Sequence, residues 1–152
     1  MLLRGTDVVV LGVDTASFKT ASGAPSTTML TVSLADPATP VITHTVRFSS
    51  GVVDARQYGD VVRLVLSAGL PQLDFVQPGG SVGQNTALKR NRALVEKSTI
   101  NDWLPSYDDG SGEQPLLDCD QVALPDDVDE VGLDTVSLTG FTMSDPTDFS
   151  SV

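Results

Sequence analysis

Apolar and polar residues alternate in three runs along 41–66. Ile42, His44, Val46 and Phe48 share one parity; Val41, Thr43, Thr45 and Arg47 share the other. In 52–57, Val53 and Ala55 oppose Val52, Asp54 and Arg56. In 61–66, Val62, Leu64 and Leu66 oppose Val61, Arg63 and Val65. A period of two is the pattern of a strand with one buried face. Ser49-Ser50-Gly51 and Gly59-Asp60 interrupt the runs, and glycine supplies the positive φ that a tight hairpin requires. The expected element is a meander of three antiparallel strands joined by two tight turns. Its second face also carries Val41, Val52, Val61 and Val65, which predicts a sheet covered on both sides, as in a sandwich or between stacked propeller blades.

Before the meander, 7–13 and 29–34 read as apolar strands with a polar connection at 15–27. The stretch 35–40 reads as a turn. Pro37 and Pro40 cannot donate to a ladder, and Asp36 can bond the nearby backbone. After Leu66 the alternation stops. Residues 67–80 are irregular, with a short strand expected at 72–76. Residues 85–97 have the strongest helix propensity, and Leu88, Asn91, Leu94 and Val95 form the narrow stripe of a surface helix. Thr99-Ile-Asn-Asp102 fits a capping box, opening a turn that carries Trp103 and ends at Pro105. Residues 106–114 and 125–130 read as polar and acidic loops, 133–141 as strand-like, and 142–152 as a polar tail.

Thr31-Val32-Ser33-Leu34 recurs as Thr135-Val136-Ser137-Leu138, and each is followed by an Asp-Pro pair, Asp36-Pro37 and Asp145-Pro146. Read as a repeat, this marks two equivalent blade strands, with the irregular segment inserted between blades. The expected fold class is mainly β and antiparallel: about one propeller blade plus the start of the next, with an inserted helical segment. As a single domain over 1–152, the blade strands occupy 7–66 and the insertion 67–130, with its helix at about 85–97. The start of the next blade and the tail occupy 131–152.

Composition narrows the function classes. Aromatic residues make up 5% of the chain, so the core depends on Val and Leu. No run of 18 apolar residues is present, which predicts no membrane span. The opening Met1-Leu-Leu-Arg-Gly-Thr6 lacks the regions of a signal peptide, leaving a cytoplasmic protein or a piece of an exported one. The net charge of −11 is unevenly spread. Residues 1–97 hold all nine Lys and Arg with seven acidic residues, whereas 98–152 hold thirteen acidic residues and no Lys or Arg. No basic footprint for nucleic acid exists. The acidic half serves solubility, or a cation site or basic partner.

No nucleophile elbow, phosphate loop, zinc helix motif or dinucleotide fingerprint occurs. His44, the only histidine, reads as a core or edge residue ahead of a general base or metal ligand. Asp54 and Arg56 share a strand face, with Arg63 across the hairpin, which predicts a structural ion pair or triad. In an extended 116–124, Asp118 and Asp120 lie on one side and Cys119 on the other. The two carboxylates read as part of solvated acidic loops ahead of a calcium-type oxygen set completed by Asp126 and Asp127; no cofactor is expected, with calcium as the alternative. The lone Cys119 excludes a disulfide within the chain; it is a buried hydrophobe or half of a bridge to sequence outside it. Trp103 reads as an anchor for the insertion.

Several stretches in order resemble one family: Leu34-Ala-Asp-Pro-Ala-Thr-Pro40, Gly51-Val-Val-Asp-Ala-Arg56, Gly59-Asp-Val-Val-Arg63, Lys89-Arg-Asn-Arg92, Ser98-Thr-Ile-Asn-Asp-Trp-Leu-Pro105 and Leu117-Asp-Cys-Asp120. They resemble bacterial and archaeal exported proteins with a C-terminal β-propeller domain. The resemblance implies a secreted or surface-anchored propeller and brings no established activity with it. The chain departs from that pattern in lacking a targeting segment and in being shorter than four blades require, so it is expected to be a fragment. The expected role is non-catalytic binding or scaffolding at the cell surface, toward a protein or surface ligand. The alternatives are part of a metal-dependent or hydrolase-like enzyme, and a small β-domain that self-associates through open sheet edges.

Overall fold

The computed structural model describes residues 1–14, 26–71, 73–123, 126 and 134–151. The strands are β1 (Leu2–Arg4), β2 (Asp7–Asp14), β3 (Ser26–Ser33), β4 (Val41–Phe48), β5 (Gly51–Tyr58), β6 (Val61–Ala68), β7 (Ser106–Asp108), β8 (Glu113–Pro115), β9 (Thr135–Thr142) and β10 (Asp145–Ser151). One sheet has the order β1-β2-β3-β4-β7-β8 and the other β10-β9-β6-β5. Every strand pair is antiparallel. The chain is therefore mainly antiparallel β, with one α-helix among the described residues, α1 (Gln84–Lys97), in the inserted segment.

Residues 41–66 do not form a single meander. β4 and β5 belong to different sheets, and only β5–β6 is a hairpin, turned at Gly59 with φ +61°. Hydrogen bonds at 49–52 carry the chain from one sheet to the other. The Ser49 amide donates to the Ser106 carbonyl at 2.9 Å, and the Ser106 amide to Ser49 Oγ at 2.8 Å. The Val52 amide donates to Thr27 Oγ1 at 2.7 Å. β4 and β5 line the same interior from opposite sides, so their apolar residues alternate as those of a hairpin would.

The expected domain plan changes accordingly. Residues 7–66 supply strands to both sheets. The inserted segment leaves the second sheet between β6 and β9, and β9–β10 complete that sheet rather than start another. Each sheet thus contains a four-stranded meander in chain order: β1-β2-β3-β4, and β5-β6-β9-β10. The repeated tetrapeptides fall on the third strand of each meander, but at the closing end of β3 and the opening end of β9, so they are not equivalent positions.

The core lies between the sheets. Val9, Met29, Val46 and Phe48 meet Val62, Leu64, Leu66 and Phe141, and Leu116 and Met143 close the rim. Each fully buried aliphatic side chain contributes roughly 1.5–3 kcal/mol. The expected polar tail is a strand, β10, and its Phe149 packs edge-on against Phe48 at 5.2 Å, Tyr107 at 5.0 Å and Phe141 at 5.8 Å between ring centroids.

Two bulges shift the period-two pattern by one residue. Thr31 pairs with His44 but Val32 with Ile42, leaving Thr43 as the extra residue. Ile42 therefore turns away from Val46 and Phe48 and is 57% exposed. In β5, Val52 pairs with Leu66 and Asp54 with Val65, leaving Val53 extra. Val52 thereby joins Ala55 against the core, while Asp54 and Arg56 face outward.

The helix matches the expected span. Asn91 fastens it: the Val76 amide donates to Asn91 Oδ1 at 2.8 Å, and Asn91 Nδ2 donates to the Val76 carbonyl at 3.0 Å. Residues 73–76 run alongside without joining a strand, and Gln72 lies outside the described residues. Ala87 is the buried residue of α1, and Asn91 and Leu94 of the expected stripe are half-buried, whereas its Leu88 and Val95 are exposed, so the docked face takes only part of the stripe.

Candidate functional site

The outer face of the second sheet gathers the outward residues of β5, β6 and β9. Arg56 and Arg63 are direct cross-strand partners, and Arg63 is in turn the partner of Gly140. Asp54 Oδ2 lies 3.2 Å from Arg56 Nη2, with the Arg56 side chain 82% exposed. Asp54 Oδ1 also accepts the Ala55 amide at 2.9 Å. The structure thus brings Asp54 and Arg56 together and sets Arg63 opposite Arg56. Among the described residues, no carboxylate comes within ion-pair distance of Arg63. Like charges directly opposite repel, and Arg63 lies over Gly140 instead, where a side chain is missing. A Cβ at Gly140 would stand 2.7 Å from the Val62 carbonyl oxygen and 3.1 Å from Arg63 Cδ. Gly140 was not singled out from the sequence; its signal is a glycine inside an otherwise continuous strand run. Tyr58, at 91% exposure, and Val136, at 69%, leave aromatic and aliphatic surface on this face.

The acidic residues are arranged differently from an extended strand. Cys119–Gln121 is a 3-10 turn, in which the Asp118 amide donates to Gln121 Oε1 at 2.8 Å. Asp118, Cys119 and Asp120 are exposed, so Cys119 is a free surface thiol rather than a buried hydrophobe. Asp126 is exposed and Asp127 lies outside the described residues. Among the described residues, no three of His, Cys, Asp and Glu converge to hold a metal ion. His44 is exposed on β4.

The acidic groups near β7 are held by local bonds. Asp108 Oδ1 accepts the Gly110 amide at 2.7 Å, and Asp109 Oδ1 accepts the Ser111 hydroxyl at 2.6 Å and amide at 2.9 Å. The Ser111 hydroxyl, followed by its amide, holds the Asp109 carboxyl below the usual aspartate range. Burial raises the Tyr107 phenol, with smaller contributions from the charges of Asp109 and Asp148. After α1, the Asp102 carboxylate accepts the Thr99 amide at 2.7 Å and hydroxyl at 2.9 Å, as the capping-box spacing predicts. Trp103 Nε1 donates to Ser98 Oγ at 2.8 Å, tying the end of the helix to this turn.

Two stacked four-stranded meanders are the size of propeller blades. The model of the β-propeller domain family matches residues 1–152. The chain belongs to the β-propeller domain family. No curated protein and no solved structure matches it. A propeller domain serves in general as a binding or scaffolding unit, and proteins are common partners of such domains. Among the described residues of this propeller domain, no helix is long and apolar enough to cross a membrane.

Proposed function

We propose that this propeller domain is a non-catalytic binding or scaffolding segment of a secreted or cell-surface protein, and that it presents the segment 69–134 on a rigid pair of sheets. One observation carries the reading. β6 and β9 pair without a break from Val61–Thr142 to Ala68–Thr135, although 69–134 leave the sheet between them. The segment therefore leaves from a closed ladder: β7, β8 and Leu116 bind its later part to the first sheet and the core, and α1 stands out from the sheets. It carries the exposed basic residues Lys89, Arg90, Arg92 and Lys97 on α1 and the exposed acidic turn at Asp118–Asp120. The exported location rests on the resemblance to exported propeller proteins.

Two measurements test the proposal. An antibody against α1 is expected to label intact source cells as strongly as permeabilised ones. Labelling only after permeabilisation would remove the surface location. A variant with α1, Gln84–Lys97, replaced by a short glycine-rich turn, leaving β7, β8 and Leu116 in place, is expected to keep its β-sheet circular dichroism and lose binding to cell-envelope fractions. Retained binding would move the site from α1 to the rest of the domain.

A further inference from the structure

Arg56 and Arg63 stand side by side on the outer sheet face; Asp54 pairs with Arg56 alone, and among the described residues Arg63 has no carboxylate within ion-pair distance. Two guanidinium groups in direct cross-strand register weaken a sheet unless an anion bridges them. The same chain supplies anions in excess: residues 98–152 contain thirteen Asp and Glu and no Lys or Arg. Within that stretch, Asp118 and Asp120 project from an exposed turn.

We infer that copies of this chain associate head to tail, with the Asp118–Asp120 turn of one copy seated on the Arg56–Arg63 pair of the next. Carboxylates then complete the hydrogen-bonding capacity of the two guanidiniums, and Tyr58 and Val136 provide an apolar rim that water leaves on contact. The two patches are different surfaces, so the contact is heterologous and extends into chains or closes into a ring, rather than pairing about a two-fold axis. The inference names a partner for the binding role proposed above, on which it rests, but it does not depend on the exported location.

Sedimentation velocity on the purified chain tests it. The weight-average mass is expected to rise with protein concentration at about 0.1 M salt. It returns to the monomer value at about 1 M, where the Debye length falls from about 10 Å to about 3 Å. Arg56→Glu with Arg63→Glu, and separately Asp118→Lys with Asp120→Lys, each weaken association by about tenfold or more. Mixing the two charge-reversed proteins restores it. If a reversal unfolds the sheet by circular dichroism, Arg56→Gln with Arg63→Gln gives the same reading through loss of salt dependence. A monomer mass at every concentration overturns the inference, as an intramolecular contact would produce. Association that survives 1 M salt or the arginine reversal also overturns it and transfers the contact to apolar faces or strand edges. Loss of envelope binding with association intact would separate the location test from this one.

Discussion

Gln57 on β5 holds both backbone polar groups of Leu3 on β1. The Leu3 amide donates to Gln57 Oε1 at 3.2 Å, and Gln57 Nε2 donates to the Leu3 carbonyl at 3.1 Å. One side-chain amide thus substitutes for a neighbouring strand at the edge of the first sheet, covering an edge otherwise open to pairing with another chain. Beside it, Arg4 Nε and Asp60 Oδ1 lie 2.8 Å apart and tie the same two sheets.

Gln57→Leu removes both bonds and is expected to cost about 1 kcal/mol, given the modest net worth of exposed hydrogen bonds. Gln57→Glu keeps only the acceptor and should fall between the two. Hydrogen exchange at the Leu3 amide checks this directly: it should speed up in Gln57→Leu, and unchanged exchange would show that the clamp does not hold β1 in solution.

Gly140→Ala places a methyl group against the Val62 carbonyl and the Arg63 side chain. The expected loss is about 2 kcal/mol, within the usual range for overpacking. Adding Arg63→Ala should recover only part of it, because the carbonyl contact remains. Urea midpoints of the single and double variants provide the measurement.

Ser137 is buried on the inner side of β9 opposite Leu66, and its hydroxyl has no hydrogen-bond partner among the described residues. Ser137→Ala is expected to raise stability by about 1 kcal/mol, since it removes a desolvated group at little cost in volume. A melting temperature higher by roughly 2–4 °C would agree with this. A clear fall would show that the hydroxyl is bonded in solution.

The Thr99 amide, and then its hydroxyl, lower the Asp102 carboxyl from the ordinary value of 3.8. A carboxyl lowered in the folded state stabilises it above the unfolded value, and that contribution disappears as pH falls through the folded value. Asp36, lowered by Thr39 and then Ala38, has the same sign. Acid loss of stability should therefore begin below the ordinary aspartate value. Thr99→Ala should raise the Asp102 pKa only part of the way, because the larger, amide contribution remains. Carboxyl NMR titration of both proteins decides the point.

What could be read from the sequence depended on unbroken periodicity. Val62, Leu64 and Leu66 alternate without interruption and are all fully buried. α1 followed from residue propensities alone. Ile42 and Val52 lie on the face opposite to the one that simple alternation predicts, because a bulge inserts one residue and one residue reverses a period of two. The division of β4 and β5 between sheets depends on bonds from Ser49 and Val52 to residues far away in sequence. β10 has little apolar pattern, with Phe149 as its one large hydrophobic residue, and the aromatic cluster that receives Phe149 is a tertiary feature. At the candidate site, the i, i+2 spacing of Asp54 and Arg56 was sufficient to pair them. Arg63 followed the register of the hairpin, but the gap at Gly140 that receives its side chain arises only when β9 is added.

The ladder between β6 and β9 also orders how the protein is made. As synthesis proceeds, β6 emerges with one side bare and waits for 135–142 before its neighbour exists. Such delayed, long-range pairing slows folding and leaves β6 open to the wrong partner in the meantime. In return, each doubling of the length between them adds only about 0.6 kcal/mol of closure entropy. At this position, between β6 and the start of β7, the propeller domain can lengthen or shorten the part that carries α1 and still complete both sheets.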